Sequence, residues 1–121
     1  MAKKRFKLLY HFMREYRYNA KKRGIDWRLT DEEFLALASL HCHYCGSPPK
    51  RIKRSRWSAG VSYGVGESIE ILNGIDRIDP EKGYTLSNCV ACCTKCNRQK
   101  MDMGVNEFLD HIKQIFFNLV K

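Results

Sequence analysis

Two Cys-x-x-Cys knuckles, Cys42-x-x-Cys45 and Cys93-x-x-Cys96, stand about fifty residues apart in a chain of 121 residues. A tetrahedral zinc ion takes four thiolates, and two knuckles supply them. The chain between must then fold back so that its ends meet. Six cysteines in an intracellular chain are expected to be metal ligands rather than disulfides, because the cytosol keeps thiols reduced. Cys93 and Cys96 lie three apart on an expected helix and so share a face. Cys89 and Cys92 form a third pair of identical spacing. Together Cys89, Cys92, Cys93 and Cys96 make an i, i+3, i+4, i+7 stripe, so two of them fit equally well as buried core cysteines. Spacing alone leaves that choice open.

The length fits one domain with one core. We divide it into a basic helical amino-terminal extension (1–40), a zinc-stapled core (41–104) and a carboxy-terminal helix (105–121). Hydrophobic residues make up 44% and charged residues 29%, which excludes a disordered tail. No apolar run approaches the roughly 20 residues that span a bilayer, and no signal-peptide core follows Met1 to Arg5. The expectation is a soluble, intracellular, cytoplasmic protein without a membrane partner.

The net charge is +9, and the location of the excess matters more than its size. Residues 1–28 carry ten basic and two acidic residues, and residues 48–58 carry five basic and none acidic. Such blocks read as phosphate-contacting surface, where each contact releases counterions. Lys21, Lys22 and Arg23 in the first block and Lys50, Arg51, Lys53, Arg54 and Arg56 in the second are the candidates. The alternative is a solvated face kept soluble by lysines.

Apolar residues at Phe6, Leu9, Tyr10, Met13, Tyr16 and Ala20 predict a basic amphipathic helix that stops at Gly24. Thr30 to Glu33 has capping-box form and predicts a second helix ending near Leu40. Residues 50–68 read as an exposed loop or irregular strands. Ile69 to Ile78 has strand character, and the turn chemistry of Asp79 to Tyr84 predicts a hairpin centred there. Residues 88 to about 101 read as one short helix carrying four cysteines. A final helix from Asn106 presents Phe108, Leu109, Ile112, Ile115, Phe116 and Leu119, a stripe expected to be core, with a partner-binding face as the alternative.

Three segments, Asn73 to Pro80, Gly83 to Asn88, and Cys93-x-x-Cys96-Asn97-Arg98-x-Lys100, resemble the core of the HNH endonucleases, especially small phage-borne ones. Lys21 to Ile25 and Cys42 to Gly46 resemble the amino-terminal part of the same proteins. The resemblance implies an α+β fold: a ββα-metal core with a four-cysteine zinc site, flanked by amino- and carboxy-terminal helices. It selects Cys42, Cys45, Cys93 and Cys96 as ligands of a structural Zn²⁺ and leaves Cys89 and Cys92 as core. It also implies that Asp76 on the first strand and Asn97 on the helix bind a catalytic Mg²⁺ or Mn²⁺. Asn88 matches the asparagine that ties the hairpin together and is grouped with the catalytic residues. Arg98 and Lys100 join the basic blocks as nucleic-acid contacts. The implied partner is nucleic acid, double-stranded DNA above all, and the implied reaction is phosphodiester hydrolysis.

The sequence departs from the family pattern at residue 77, where the usual general-base histidine is arginine. Arg77 has no lone pair to accept a proton. It can clamp a phosphate oxygen and stabilise transition-state charge, so it stays among the catalytic candidates. The base would then be Asp79, Tyr84, a histidine such as His43, or water ionised by the metal. The competing reading is a zinc-stapled nucleic-acid-binding module that has lost cleavage.

Overall fold

The capping box forms as its sequence dictates. Thr30 Oγ1 accepts from the Glu33 N–H at 3.1 Å, and the Glu33 carboxylate accepts from the Thr30 N–H at 2.9 Å. This starts α2 (Asp31–Ala38), which follows α1 (Ala2–Lys22). The computed structural model describes the backbone of residues 2–51 and 71–120, and the side chains of residues 11–50 and 71–120. Most of the 50–68 reading, with Lys53, Arg54 and Arg56, therefore lies outside the described residues, as do the side chains of Phe6, Leu9, Tyr10 and Arg51.

Beyond the helices come β1 (Lys50–Arg51) paired antiparallel with β2 (Ile71–Leu72), and β3 (Gly74–Arg77) paired antiparallel with β4 (Cys89–Cys92). In the β3–β4 pair Gly74 faces Cys92 and Arg77 faces Cys89. A short 3₁₀ turn, Leu86–Asn88, leads into β4, and α3 (Thr94–Lys100) and α4 (Val105–Leu119) complete the chain. The fold is a mixed helical structure around a small antiparallel hairpin.

Phe34 is the hub of the core and is fully buried. Met13 of α1, Leu29, Ala38 of α2, Leu72, Ile75 of β3 and Cys89 of β4 close around it. The rings of Phe12, Tyr16 and Trp27 lie 5.5–5.9 Å from that of Phe34, in tilted or edge-on arrangements. Trp27 then meets Tyr84 at 5.0 Å. Backbone bonds fix the same junction: Arg28 N–H to the Tyr84 carbonyl and Tyr84 N–H to the Asp26 carbonyl, both 2.8 Å. Gly83 is needed there, because a Cβ would sit 2.8 Å from Asp26 backbone and side-chain atoms.

Two expectations require correction. Residues 88–101 are not one helix: Cys89–Cys92 is a strand, and the helix begins only at Thr94. A three-residue spacing fits a helical stripe, but pairing with β3 supplies ladder bonds that local periodicity cannot reveal. The α4 stripe is also not core. Phe108 is buried, whereas Leu109, Ile112, Ile115, Phe116 and Leu119 are 40–74% exposed. Helical spacing says that a face is apolar, and it does not say that the same chain covers it.

Removing the hub should therefore be far more damaging than trimming α4. Phe34→Ala is expected to destabilise by about 3–5 kcal/mol, and Ile115→Ala by no more than about 0.5 kcal/mol. Urea unfolding of the two variants measures both.

Candidate metal centre and active-site cleft

The sulfurs of Cys42, Cys45, Cys93 and Cys96 lie within 4.8 Å of one another, with Cys45 and Cys93 at 3.6 Å. Four thiolates at ~2.3 Å from one tetrahedral ion would be separated by about this distance, so the cluster fits a structural metal such as zinc. The first knuckle turns through Gly46, whose φ of +78° is a conformation that glycine adopts without strain. Its Cys42 N–H bonds to the Ser47 carbonyl, and its His43 N–H bonds to Ala91 of β4, both at 2.8 Å. In the second knuckle Cys93 is the N-cap of α3, its sulfur accepting from the Cys96 N–H at 3.4 Å.

The thiols sort by environment. Ser47 holds Cys45 down to about 6, through its hydroxyl and then its N–H. Burial raises Cys42, but N–H groups of Cys45, Cys93 and Tyr44 outweigh it and lower the thiol overall. Burial pushes Cys96 up, as do the sulfurs of Cys93 and Cys45. Without a cation, four negative sulfurs cannot share this space. Burial raises Cys89 to about 11 and drives Cys92 higher still. Those two are packed as core thiols, Cys89 with the Phe34 cluster and Cys92 beside the knuckles.

A cleft of about 400 Å³ opens between α1 and the hairpin with its following helix. Asp76, Arg77, Tyr84, Asn97 and Arg98 line it from the ββα unit, and Glu15 and Asn19 line it from α1, with Arg23 just beyond that helix. The structure thus brings together Asp76, Arg77, Asn97, Arg98 and Arg23 of the sequence candidates. Lys21 and Lys22 are exposed at the end of α1, and Lys50 is exposed on β1.

Arg77 is tied down: its Nη1 donates to the carbonyls of Pro80 at 2.6 Å and Lys82 at 2.9 Å, and the guanidinium lies 5.3 Å from the Tyr84 ring centre. Asn88 is buried and does not line the cleft; its Oδ1 accepts from Asp79 N–H, and its Nδ2 donates to the carbonyls of Asp79 and Gly83. It staples the turn. Of the proposed bases, Asp79 accepts from the Glu81 N–H within that turn, His43 is not a lining residue, and Tyr84 lines the cleft with its hydroxyl pushed up by burial, against the opposing effect of Arg77.

Asp76 is 8% exposed, and its Oδ2 receives two donors: the Tyr44 hydroxyl at 2.7 Å and Lys100 Nζ at 3.0 Å. Burial, and then the Asp76 carboxylate, push the Tyr44 hydroxyl far up, so it remains a donor. Lys100 also donates to the Arg77 carbonyl at 3.1 Å and is 1% exposed. This corrects the reading of Lys100 as a nucleic-acid contact, since a buried ammonium committed to Asp76 cannot reach a phosphate. The signal was available: Lys100 is i+4 from buried Cys96, while Arg98 and Gln99 point outward. Tyr44, Glu15 and Asn19 were missed altogether. Glu15 and Asn19 of α1 and Arg23, whose N–H bonds to the Asn19 carbonyl just past the helix end, recur every four residues, the spacing of one helical face.

No protein-family model matches the chain. Among solved structures it is similar to the rare-cutting HNH restriction endonuclease PacI, described for its mechanism of DNA perturbation. The TM-score is 0.56 and the identity 25%, covering 86% of this chain and 73% of that one. The fold resembles that of an HNH endonuclease. Among curated proteins, uncharacterized protein R423 of Acanthamoeba polyphaga mimivirus is 33% identical over 94 residues, or 78% of this chain. The chain spans 14% of the length of that viral protein. No described helix is long and apolar enough to cross a membrane.

The division of the cysteines has a direct consequence. Cys89→Ser and Cys92→Ser proteins should each retain one zinc per chain by elemental analysis, whereas Cys45→Ser and Cys96→Ser should lose it. In metal-stripped protein iodoacetamide should modify Cys45 before Cys89 or Cys92. That reactivity should fall as pH drops through about 6, where the Cys45 thiolate is protonated, and zinc should block it. Mass spectrometry of the alkylated peptides reads the order.

Proposed function

We propose that this chain is a metal-dependent endonuclease of the HNH type that hydrolyses phosphodiester bonds in DNA. One observation carries the reading: Asp76, Asn97 and Arg77 line a single open cleft beside a four-cysteine cluster, in a fold resembling an HNH restriction endonuclease. Asp76 and Asn97 offer oxygen donors, the ligand type that Mg²⁺ or Mn²⁺ prefers. A divalent ion held there would supply Lewis-acid stabilisation of the phosphate and make water easier to ionise. Zn²⁺ in the four-cysteine cluster is the structural metal of this reading.

The chain's own residues divide the remaining work. Arg77 has five donors, and the turn carbonyls of Pro80 and Lys82 engage Nη1 alone. In this reading the guanidinium stabilises charge developing on the phosphate from a position fixed by the turn carbonyls and the Tyr84 ring. Arg23, Arg98, Lys21, Lys22 and Lys50 contact the DNA backbone, which positions the duplex without reading its sequence. The carboxylates of Glu15 and Asp102 line the same cleft and are the side chains nearest in kind to a proton acceptor there.

A second reading is favoured by one specific feature. Arginine replaces the expected histidine and is bonded into the turn, which suits a nucleic-acid-binding module of the same fold. Plasmid incubated with Mg²⁺ or Mn²⁺ against EDTA separates the two. Asp76→Asn, which keeps an oxygen acceptor for Lys100 and Tyr44, should abolish cleavage while zinc and DNA binding persist, and Arg77→Ala should reduce the rate by roughly 10²-fold or more. Wild-type protein that binds DNA but never cleaves it, while Arg77→His does, would establish the binding module instead.

Affinity should also fall steeply with salt. Neutralising Lys21, Lys22 and Arg23 together should flatten the slope of log K against log salt by up to about three units. An unchanged slope in a fluorescence-anisotropy titration would reduce that block to a solubility device.

A further inference from the structure

We infer that the cysteine knuckle presets the ion-binding carboxylate: Tyr44, carried between Cys42 and Cys45, and Lys100 hold one oxygen of Asp76 and leave the other for a divalent ion, with opposite effects on that ion's affinity. The inference rests on the proposed role of Asp76 as a metal ligand.

The geometry is asymmetric. Both donors reach Oδ2, at 2.7 Å and 3.0 Å, and among the described residues no protein donor is recorded on Oδ1. Asp76 nonetheless lines the cleft, and in this inference Oδ1 is the oxygen left to the ion. A carboxylate rotates readily about its last torsion, whose energy well is broad. Two donors on one oxygen remove that freedom. Tyr44 can act as a fixed donor because its own position is overdetermined. Flanking cysteines belong to the cluster, the neighbouring His43 N–H is bonded to β4, and the Tyr44 ring packs edge-on against Phe108 at 5.5 Å.

The two donors differ in charge. Tyr44 is neutral and contributes orientation alone. Lys100 is a buried cation beside the same carboxylate, and it balances Asp76 when no ion is bound. A doubly charged ion arriving at Asp76 is repelled by that ammonium across a poorly screened interior. The repulsion acts on the whole ion, whereas orientation affects one ligand, so repulsion dominates the effect of Lys100. Both side chains are positioning residues.

The test measures Mn²⁺ binding to the zinc-loaded full chain by electron paramagnetic resonance, with zinc content determined in parallel. Tyr44→Phe should keep its zinc and weaken Mn²⁺ binding about three- to ten-fold, the size of one lost orienting bond. Lys100→Met should bind Mn²⁺ at least ~10-fold more tightly and gain more thermal stability from Mn²⁺ than wild type does. Lys100→Arg, which keeps the charge, should stay within about two-fold of wild type. If both Tyr44→Phe and Lys100→Met weaken binding, or neither changes it, the inference is overturned. If Lys100→Met does not fold even with Mn²⁺, an unweakened Tyr44→Phe or a Lys100→Arg that binds more tightly overturns it instead. A wild-type chain with no Mn²⁺ site that Asp76→Asn removes would sink the parent reading itself, an outcome visible before any variant of Tyr44 or Lys100 is made.

Discussion

Two sulfurs 48 positions apart in sequence, those of Cys45 and Cys93, stand 3.6 Å from each other. That approach closes a long loop, and closing it has an entropic cost that grows only slowly with length. A metal held by the four-cysteine cluster would offset the cost, since thiolate binding is coupled directly to folding. The closure also decides what else can form. With α3 anchored through Cys93 and Cys96, and the first knuckle bonded to Ala91, β4 is held at one end by the cluster and pairs with β3 along its length. The cleft is lined by Ile75, Asp76 and Arg77 of the same hairpin.

The second constraint is the way buried polar groups are satisfied. Asn73 bonds its N–H to Ala38 and its side chain to the Leu40 carbonyl, so the end of α2 is joined to the start of β3. Asn88 accounts for three partners inside the turn. Asp76 and Lys100 form a buried ion pair. Such a pair adds little net stability, because both charges are desolvated, but breaking it leaves one uncompensated. The pair therefore fixes where the carboxylate points more than it strengthens the fold.

Much of this was legible in the sequence where a local rule and a long-range demand coincide. The capping box at Thr30 needs only four consecutive residues, and it forms. The two knuckles announce their own closure. The hairpin was visible because Asp79 to Tyr84 has turn chemistry and its flanks are apolar. Cys89 to Cys92 was misread because a spacing of three fits a helix face and also fits a strand whose end turns into a cap. Tyr44 left no trace, since a tyrosine between two cysteine ligands looks like knuckle filler until the hairpin is placed beneath it. The α4 stripe was read correctly as an apolar face and wrongly as a buried one, and burial is a property of neighbours that periodicity does not contain.

The arginines around the cleft differ in how firmly they are held, and the difference bears on what each can do. Arg23 meets Asp102 at 3.4 Å, but the two side chains are 53% and 82% exposed. An exposed pair of this kind contributes about 0–1 kcal/mol, so exchanging Asp102 for a phosphate oxygen carries almost no penalty. Arg98 is exposed on α3 and is similarly available. Arg77 is the opposite case, with two carbonyl acceptors and an aromatic face on the Tyr84 ring. Pulling it outward to capture a distant phosphate would leave those carbonyls without their donor. In the proposed reading the exposed arginines therefore capture the backbone, and the anchored one acts only on a phosphate already delivered to the ion at Asp76. An arginine fixed in advance has little freedom left to lose when charge develops beside it, which is the condition under which an electrostatic donor is most effective.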